Sequence, residues 1–333
     1  MSRFLLLTDF AVKPDWEFLT GFRKVCTESP EVHSCTSNYL RKGLFDRFRR
    51  YLLYFTFPLS QLKYNGRYES IIGYQQFYAL NLAFFMRLFG VKKRSRLYVV
   101  AFIYKDKKGL IGKLYRKYIK RIISSGYIDR FFVFSTSEPA YYASLFDCPK
   151  DLFIPCRLGI DTLNDITGCK GDYFFATGRS NRDYDFLMSE FVGSKRKLLI
   201  ATDEPLRPAS DNISVLSDCS GMEMVRTMAG AFCVLIPLKN PDISAGQLVA
   251  LQALQLGKPV IATRCPGLSD YLEDGITALL MDNTHESLAD CIERLSDPLV
   301  YEQLSQKAKE SFHNYFSLEG QGAFICENCL GKE

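Results

Sequence analysis

Two stretches carry residue types suited to holding a phosphorylated ligand. The first, residues 235–263, reads LIPLKNPDISAGQLVALQALQLGKPVIAT. A strand ends at Pro237, a polar loop follows, and Asp242-Ile243-Ser244-Ala245-Gly246 leads into a helix. Ser244 suits the N-cap, because a serine hydroxyl accepts from the free N–H groups of a first helical turn. The small residues Ala245 and Gly246, followed by Gln247, leave those N–H groups approachable, and such an end binds anions, above all phosphates. Gly257 closes the helix and Lys258-Pro259 opens the next strand. An ordinary capped helix of an α/β domain gives the same pattern. The second stretch, residues 173–187, reads YFFATGRSNRDYDFL. Its strand ends in Gly178-Arg179, with Arg182 three residues on. The forked donors of arginine match diphosphate oxygens. Surface pairing of these arginines with Asp183 or Asp185 is the plainer reading. Their place at the carboxyl end of a strand, in an otherwise acidic half, tilts the balance toward a site.

The elements that must position these residues follow from the alternation of short apolar runs with longer amphipathic segments. Strands are expected at Phe4–Thr8, Ser70–Gly73, Leu97–Ile103, Arg130–Ser135, Tyr173–Thr177, Lys197–Ala201, Ile213–Leu216, Ala231–Pro237, Pro259–Thr263 and Ala278–Met281. Runs of this length bounded by Gly, Pro or charge read as buried parallel strands. Helical patterns lie between them, among others at Tyr184–Phe191, Gly246–Leu256 and His285–Leu295. The alternation predicts an α/β chain with right-handed crossovers. A polar, turn-rich segment at 162–171 suggests a break between a domain of residues 1–162 and one of residues 170–316, with 317–333 as a C-terminal tail. In doubly wound sheets ligands lie beyond the carboxyl ends of the strands.

Charge divides the same way. Residues 1–160 carry 27 basic and 12 acidic side chains, a net of +15, and residues 161–333 carry 15 and 25, a net of −10. At 47% hydrophobic and 24% charged the chain is globular rather than disordered. No apolar run reaches the ~18–20 residues of a membrane span, and MSRFLLLTDF reads as a first strand rather than a signal peptide. The 11 cysteines lie in apolar surroundings and are expected to be reduced, as in a cytosolic protein. Of the three histidines, His285 and His313 fall on peripheral helices, and His33 with Cys35 is too small a set for a metal site. Cys326 and Cys329 have redox or metal spacing but stand alone near a terminus expected to fray.

In order along the chain, several motifs resemble one family. Phe153–Asp161 (FIPCRLGID), Gly178-Arg179 with Arg182, Ile236-Pro237 through Gly257-Lys258-Pro259-Val260-Ile261-Ala262, then Gly267, Asp274-Gly275, Ala278-Leu279-Leu280, Asp297-Pro298, Ala308 and Phe316-Ser317 match the pattern of retaining glycosyltransferases of the GT-B fold, family 4. The resemblance covers most of residues 130–317; residues 1–60 match only in pattern. It implies two doubly wound Rossmann-like domains facing across a cleft. It implies a donor site for a nucleoside-diphosphate sugar, UDP- or GDP-linked, at Gly178, Arg179, Arg182, Ser244, Ala245, Gly246, Gln247 and Gln252. No separate cofactor and no metal cluster is implied. Retaining transfer in this fold uses the donor phosphate as base, so Arg179, Arg182 and Ser244 with the helix start would carry catalysis by stabilising the leaving diphosphate. The family's two glutamates of the Glu-x7-Glu pair are here Ser244 and Gln252, and its histidine after strand 97–103 is absent. Gln252 keeps hydrogen-bonding capacity toward a ribose but no charge.

The basic half suggests the other partner. In KDKKGLIGKLYRKYIKRIIS, residues 105–124, apolar side chains at 110, 111, 114, 115, 118, 119, 122 and 123 form one helix face among eight cations. Residues 41–57 mix Arg41, Lys42, Arg47, Arg49 and Arg50 with Leu44, Phe45, Phe48, Leu52 and Leu53. Packing against the sheet accounts for part of 110–123, and no nucleic-acid motif is present. Both segments also suit an anionic membrane surface. The expectation is a peripheral enzyme at the inner face of a bacterial cell membrane, acting on a lipid-linked or glycan acceptor in surface polysaccharide assembly. A silent GT-B scaffold subunit and a GT-B epimerase or phosphorylase are the alternatives.

Overall fold

The computed structural model describes residues 3–36, 43–241 and 245–330. The chain forms two compact units, Met1–Arg157 with Glu319–Glu333, and Leu158–Leu318.

In chain order the first unit holds β1 (Phe4–Thr8), α1 (Glu17–Val25), β2 (Glu31–Ser34), α2 (Leu44–Gln61), β3 (Ser70–Gly73), α3 (Gln76–Leu88), β4 (Arg96–Val99), α4 (Gly109–Ile123), β5 (Arg130–Val133), α5 (Glu138–Phe146) and β6 (Phe153–Pro155). The second holds β7 (Tyr173–Thr177), α6 (Tyr184–Phe191), β8 (Lys197–Ala201), β9 (Ile213–Leu216), α7 (Gly221–Ala229), β10 (Cys233–Ile236), α8 (Gln247–Gln255), β11 (Val260–Thr263), α9 (Pro266–Ser269), β12 (Leu279–Met281), α10 (His285–Ser296) and α11 (Pro298–Tyr315). Helix α12 (Leu318–Cys329) then returns the chain to the first unit.

Each unit is built on a parallel six-stranded sheet, ordered β2-β1-β3-β4-β5-β6 in the first and β12-β11-β10-β7-β8-β9 in the second. The second order is the 3-2-1-4-5-6 of dinucleotide-binding sheets, and the first is an extended form of the 2-1-3-4-5 order. Strands β1, β3, β10 and β11 are buried from end to end, and burial on both faces explains their largely apolar sequences. These are the two doubly wound domains expected from the alternation.

The departures from expectation have local causes. Strands β2 and β6 were not foreseen: β2 is an edge strand reading Glu-Val-His-Ser with partly exposed side chains, and β6 has three residues. The run Leu97–Ile103 leaves the ladder after Val99, where Ala101 takes a positive φ of 56°. In α4 only Ile119, Ile122 and Ile123 of the apolar face are buried, with Gly112, while Leu110, Ile111 and Leu114 are exposed.

The segment read as a fraying tail is instead packed structure. Helix α12 lies so close to α1 that a Cβ on Gly21 would fall 1.7 Å from the Glu319 carbonyl oxygen, and one on Gly322 would fall 2.1 Å from that of Phe18. Glycine at both positions removes the side chains that would hold the helices apart. Cys326 and Cys329 are fully buried here, and burial pushes the Cys326 thiol up to about 12 and that of Cys329 well above its ordinary range. Neither is poised as a thiolate. Every cysteine is free of a disulfide.

A candidate anion and nucleotide site at the switch point of the second sheet

In the second sheet the connections reverse direction between β7 and β10, which lie side by side. The crevice beyond the carboxyl ends of two such strands is where doubly wound sheets bind ligands. The loop after β7 carries Gly178, Arg179 and Arg182, and the loop after β10 leads to Ala245, Gly246 and Gln247 at the start of α8. The topology therefore brings together the two stretches singled out from sequence.

The two loops are tied to each other. Asn181 donates from Nδ2 to the Asn240 carbonyl (2.7 Å), and the Asn240 N–H returns a bond to Asn181 Oδ1 (2.9 Å). The Asp183 N–H donates to the Pro237 carbonyl, and Arg182 forms a β-bridge with Leu238. Asp183 also accepts from the Phe186 N–H and caps α6. Asp183 is thus a helix cap, not a partner of either arginine.

Arg182 lies inside this knot with 6% of its surface exposed. Its Nε donates to the Thr177 carbonyl and its Nη1 to the Ser180 carbonyl, both at 3.0 Å. Among the described residues no carboxylate comes within ion-pair distance, and no partner is seen for Nη2. A buried guanidinium without a counter-charge is costly, and burial draws its pKa below the ordinary range. Gly178 makes room for it: φ is +133°, and a Cβ there would fall 2.6 Å from Nε and Nη2. The Tyr184 hydroxyl donates to the Gly178 carbonyl at 2.7 Å and fixes the turn.

Arg179 is different. Its side chain is 74% exposed, and Nε pairs with Asp203 Oδ2 at 2.7 Å. An exposed pair of this kind contributes little to stability, so Arg179 is available to a ligand at the rim, in competition with Asp203.

At the opposite wall, Gly246 rather than Ser244 occupies the N-cap position of α8, with φ of +94°. A Cβ on Gly246 would meet Ile236 Cγ2 at 2.8 Å and stand 3.7 Å from Arg182 Nη2. Nη2 of Arg182 thus lies close to the helix start. No side chain caps α8 among the described residues. Its first N–H groups have no intrahelical acceptor and carry the positive end of the helix dipole. Ser244, with Asp242 and Ile243, lies outside the described residues. Ala245 is buried, and Gln247 donates from Nε2 to the Gly267 carbonyl at 3.2 Å.

Gln252 stands further along α8, and its buried Oε1 has no hydrogen-bond partner among the described residues. Buried acceptors are nearly always satisfied in native proteins, so one left open marks a place for a donor. One buried lysine has a structural role that the sequence reading did not reveal. Lys258 is 2% exposed and donates from Nζ to the carbonyls of Cys169 (2.5 Å) and Ala231 (2.7 Å). It locks the segment before β7 to the segment before β10. The signal was visible as a lysine between Gly257 and Pro259, where a C-terminal turn gives way to a buried strand.

Among the described residues no group of three or more His, Cys, Asp or Glu side chains could hold a metal ion. His33 is held by Gln61 and Glu31 at 2.7 and 3.1 Å, and His285 pairs with Glu190 at the surface.

Residues 174–297 match the family model for glycosyl transferases group 1. A comparison with curated protein sequences finds no match. Among solved structures, a glycosyltransferase from Rickettsia africae superposes with a TM-score of 0.68 at 11% identity, covering 100% of both chains. HepE from Anabaena, solved with UDP, gives 0.70 at 13% identity over 98% of this chain and 99% of its own. A sucrose-phosphate synthase from Thermosynechococcus elongatus gives 0.68 at 14%, over 98% of each. Identities this low speak to the fold. The whole chain has the GT-B fold, and with the match over residues 174–297 this supports a GT-B glycosyltransferase.

Proposed function

We propose that the protein transfers a hexosyl group, with retention, from a UDP- or GDP-linked sugar to a glycan acceptor held by the first unit. The observation that carries this reading is Arg182, buried with no carboxylate within ion-pair distance among the described residues, beside the start of α8 at the switch point. The group 1 match over the same unit supports it, as do fold neighbours solved with UDP, with UDP and glucose, and with UDP-glucose.

In the proposed reaction the diphosphate lies between Arg182 and the first N–H groups of α8, with Arg179 turning from Asp203 to its outer oxygens. The bond from the anomeric carbon to the β-phosphate oxygen breaks as the acceptor oxygen bonds to the same face. The acceptor's proton passes to a leaving phosphate oxygen, giving the glycoside and a nucleoside diphosphate. Two arginines and a helix dipole stabilise the developing charge, so the route needs no metal. Gln252 Oε1 accepts from a ribose hydroxyl. Ser244 is assigned a donor-sugar contact from its sequence position alone.

For the first unit we infer a lipid-linked acceptor and peripheral docking on the anionic inner face of a bacterial cell membrane, in surface polysaccharide assembly. Helix α2 supports this: Leu44, Phe45, Phe48, Tyr51, Leu52, Phe55 and Leu59 are all exposed on it. Arg41 and Lys42, at the head of this segment, lie outside the described residues. Among the described residues no helix is long and apolar enough to cross a membrane.

A catalytically silent scaffold subunit is the second reading, favoured by Ser and Gln at positions 244 and 252. Incubation with UDP- and GDP-sugars separates the two. Release of nucleoside diphosphate, raised by acceptor, is the expected result; tight donor binding with no turnover would favour the scaffold.

A further inference from the structure

Between α3 and α4 runs a groove of about 530 Å³ with apolar walls and three cations. Phe84, Leu88, Leu114, Tyr118 and Ile122 form its walls, and Arg87, Lys117 and Arg121 supply its charge. No acidic residue lines it. Arg87 is held in place by donating from Nη1 to the Arg121 carbonyl at 2.9 Å. Among the described residues, none of the three cations pairs with a carboxylate. Lys93, Arg96 and Lys120 of the same unit, by comparison, have an acidic partner within 4 Å, whereas many other described cations of the unit, like these three, have none.

The groove opens onto the exposed apolar surface rather than lying apart from it. Leu88 and Leu114 of its walls are 60% and 59% exposed, and Phe89, Leu110 and Ile111 continue the apolar surface along α3 and α4. Ring contacts run from Phe55 of α2 to Phe85 and on to Phe89 (6.5 and 6.0 Å), and Phe84 meets Tyr118 of α4 at 5.5 Å. Three helices thus share one surface in which a cationic, apolar-walled slot is set among protruding Leu and Phe side chains. An occupant must offer an anionic head and an apolar body together. A soluble anion would leave the walls wet, and an apolar peptide would leave three cations desolvated without a counter-charge.

We propose that this groove is a headgroup site for an anionic phospholipid of a bilayer: the phosphate lies on Arg87, Lys117 and Arg121, the glycerol and upper acyl carbons lie against Leu88 and Leu114, and the apolar face of α2 enters the membrane beside it. The proposal rests on the reading of the first unit as membrane-docked. It adds a defined lipid site to what would otherwise be diffuse attraction by a +15 half.

The test is co-sedimentation of the full chain with vesicles of phosphatidylcholine alone or with about one third phosphatidylglycerol. A triple variant Arg87→Gln, Lys117→Gln, Arg121→Gln is compared with Lys13→Gln, Lys92→Gln, Lys150→Gln, which removes equal charge from the same unit outside the groove. Thermal unfolding confirms that both fold, and UDP and GDP affinity is measured in each. The groove triple is expected to weaken binding to anionic vesicles about a hundredfold, the size set by three cations leaving an anionic surface. The control triple should stay within a few-fold of wild type, and neutral vesicles should bind weakly throughout. Equal losses in the two triples would overturn the site and leave general electrostatic docking. So would wild-type binding that ignores phosphatidylglycerol, or a stable dimer that hides α2. Failure to bind any nucleoside diphosphate with vesicle binding intact would count against the donor site and leave the groove standing.

Discussion

Arg179 and Arg182 are three residues apart and identical in chemistry, yet the fold gives them opposite surroundings. Sequence placed both at the carboxyl end of β7. It could not show that the loop folds Arg182 under Gly178 while Arg179 stays at the rim, because burial of a loop side chain depends on the loop it packs against. The same holds for the cap of α8. Ser244 has the right chemistry for an N-cap, but Gly246, with φ of +94°, is where the helix begins. Gln252 yields a prediction at this scale. Replacing it by methionine removes an unsatisfied buried acceptor, which typically costs ~1–3 kcal/mol, and so should leave the fold equally or more stable. The same change should weaken a nucleoside diphosphate several-fold while leaving inorganic diphosphate unaffected. Calorimetry with both ligands checks this; equal loss for the two would contradict a ribose contact. Lys258 yields a second prediction. Burial lowers its pKa to about 8 from an ordinary 10.5. Below pH 8 both folded and unfolded chains hold the proton. Between about 8 and 10.5 the unfolded chain holds a proton that the folded one has shed, so stability rises with pH through that window. Denaturant unfolding at pH 7 and 9.5 should therefore shift in favour of wild type over Lys258→Met as pH rises. A pH-independent difference would contradict it.

At the scale of elements, the second unit was the more legible half. Strand β7 and helix α6 have the bounds read from the apolar pattern, because buried parallel strands and well-capped helices leave strong local signals. The C-terminal helix was misread, since Gly320-Gln-Gly322 and two cysteines look like a loose end until α1 is there to receive them. That contact predicts that Gly322→Val, forced against the Phe18 carbonyl, destabilises the first unit by ~2 kcal/mol or more. Thermal unfolding should show a lower first transition, with nucleotide affinity of the second unit retained; an unchanged transition would count against close packing. Helix α4 shows a different limit. Its apolar row was evident, but periodicity shows that a face is apolar, not which part of it a neighbour covers. Only the second half of α4 reaches the core.

For the molecule as a whole, the GT-B fold was legible from the order of motifs, and the opposite charges of the two halves now have places. In the acidic second half the proposed anion site is where a deeply buried arginine meets the start of α8 at the switch point. In the basic first half, Arg87, Lys117 and Arg121 line the α3–α4 groove beside an exposed apolar surface. The central claim is that Arg182 and the start of α8 hold the diphosphate of a nucleotide sugar. Calorimetric titration of UDP and GDP into the full chain, its Arg182→Met variant and its Arg179→Met variant tests it most directly. Charge-assisted hydrogen bonds of ~1.5–3 kcal/mol predict saturable one-to-one binding of one of the two nucleotides, a loss of about 10- to 100-fold in Arg182→Met, and a smaller loss in Arg179→Met, with both variants folded. No binding of either nucleotide at millimolar concentration, or full affinity in a folded Arg182→Met protein, would contradict the account.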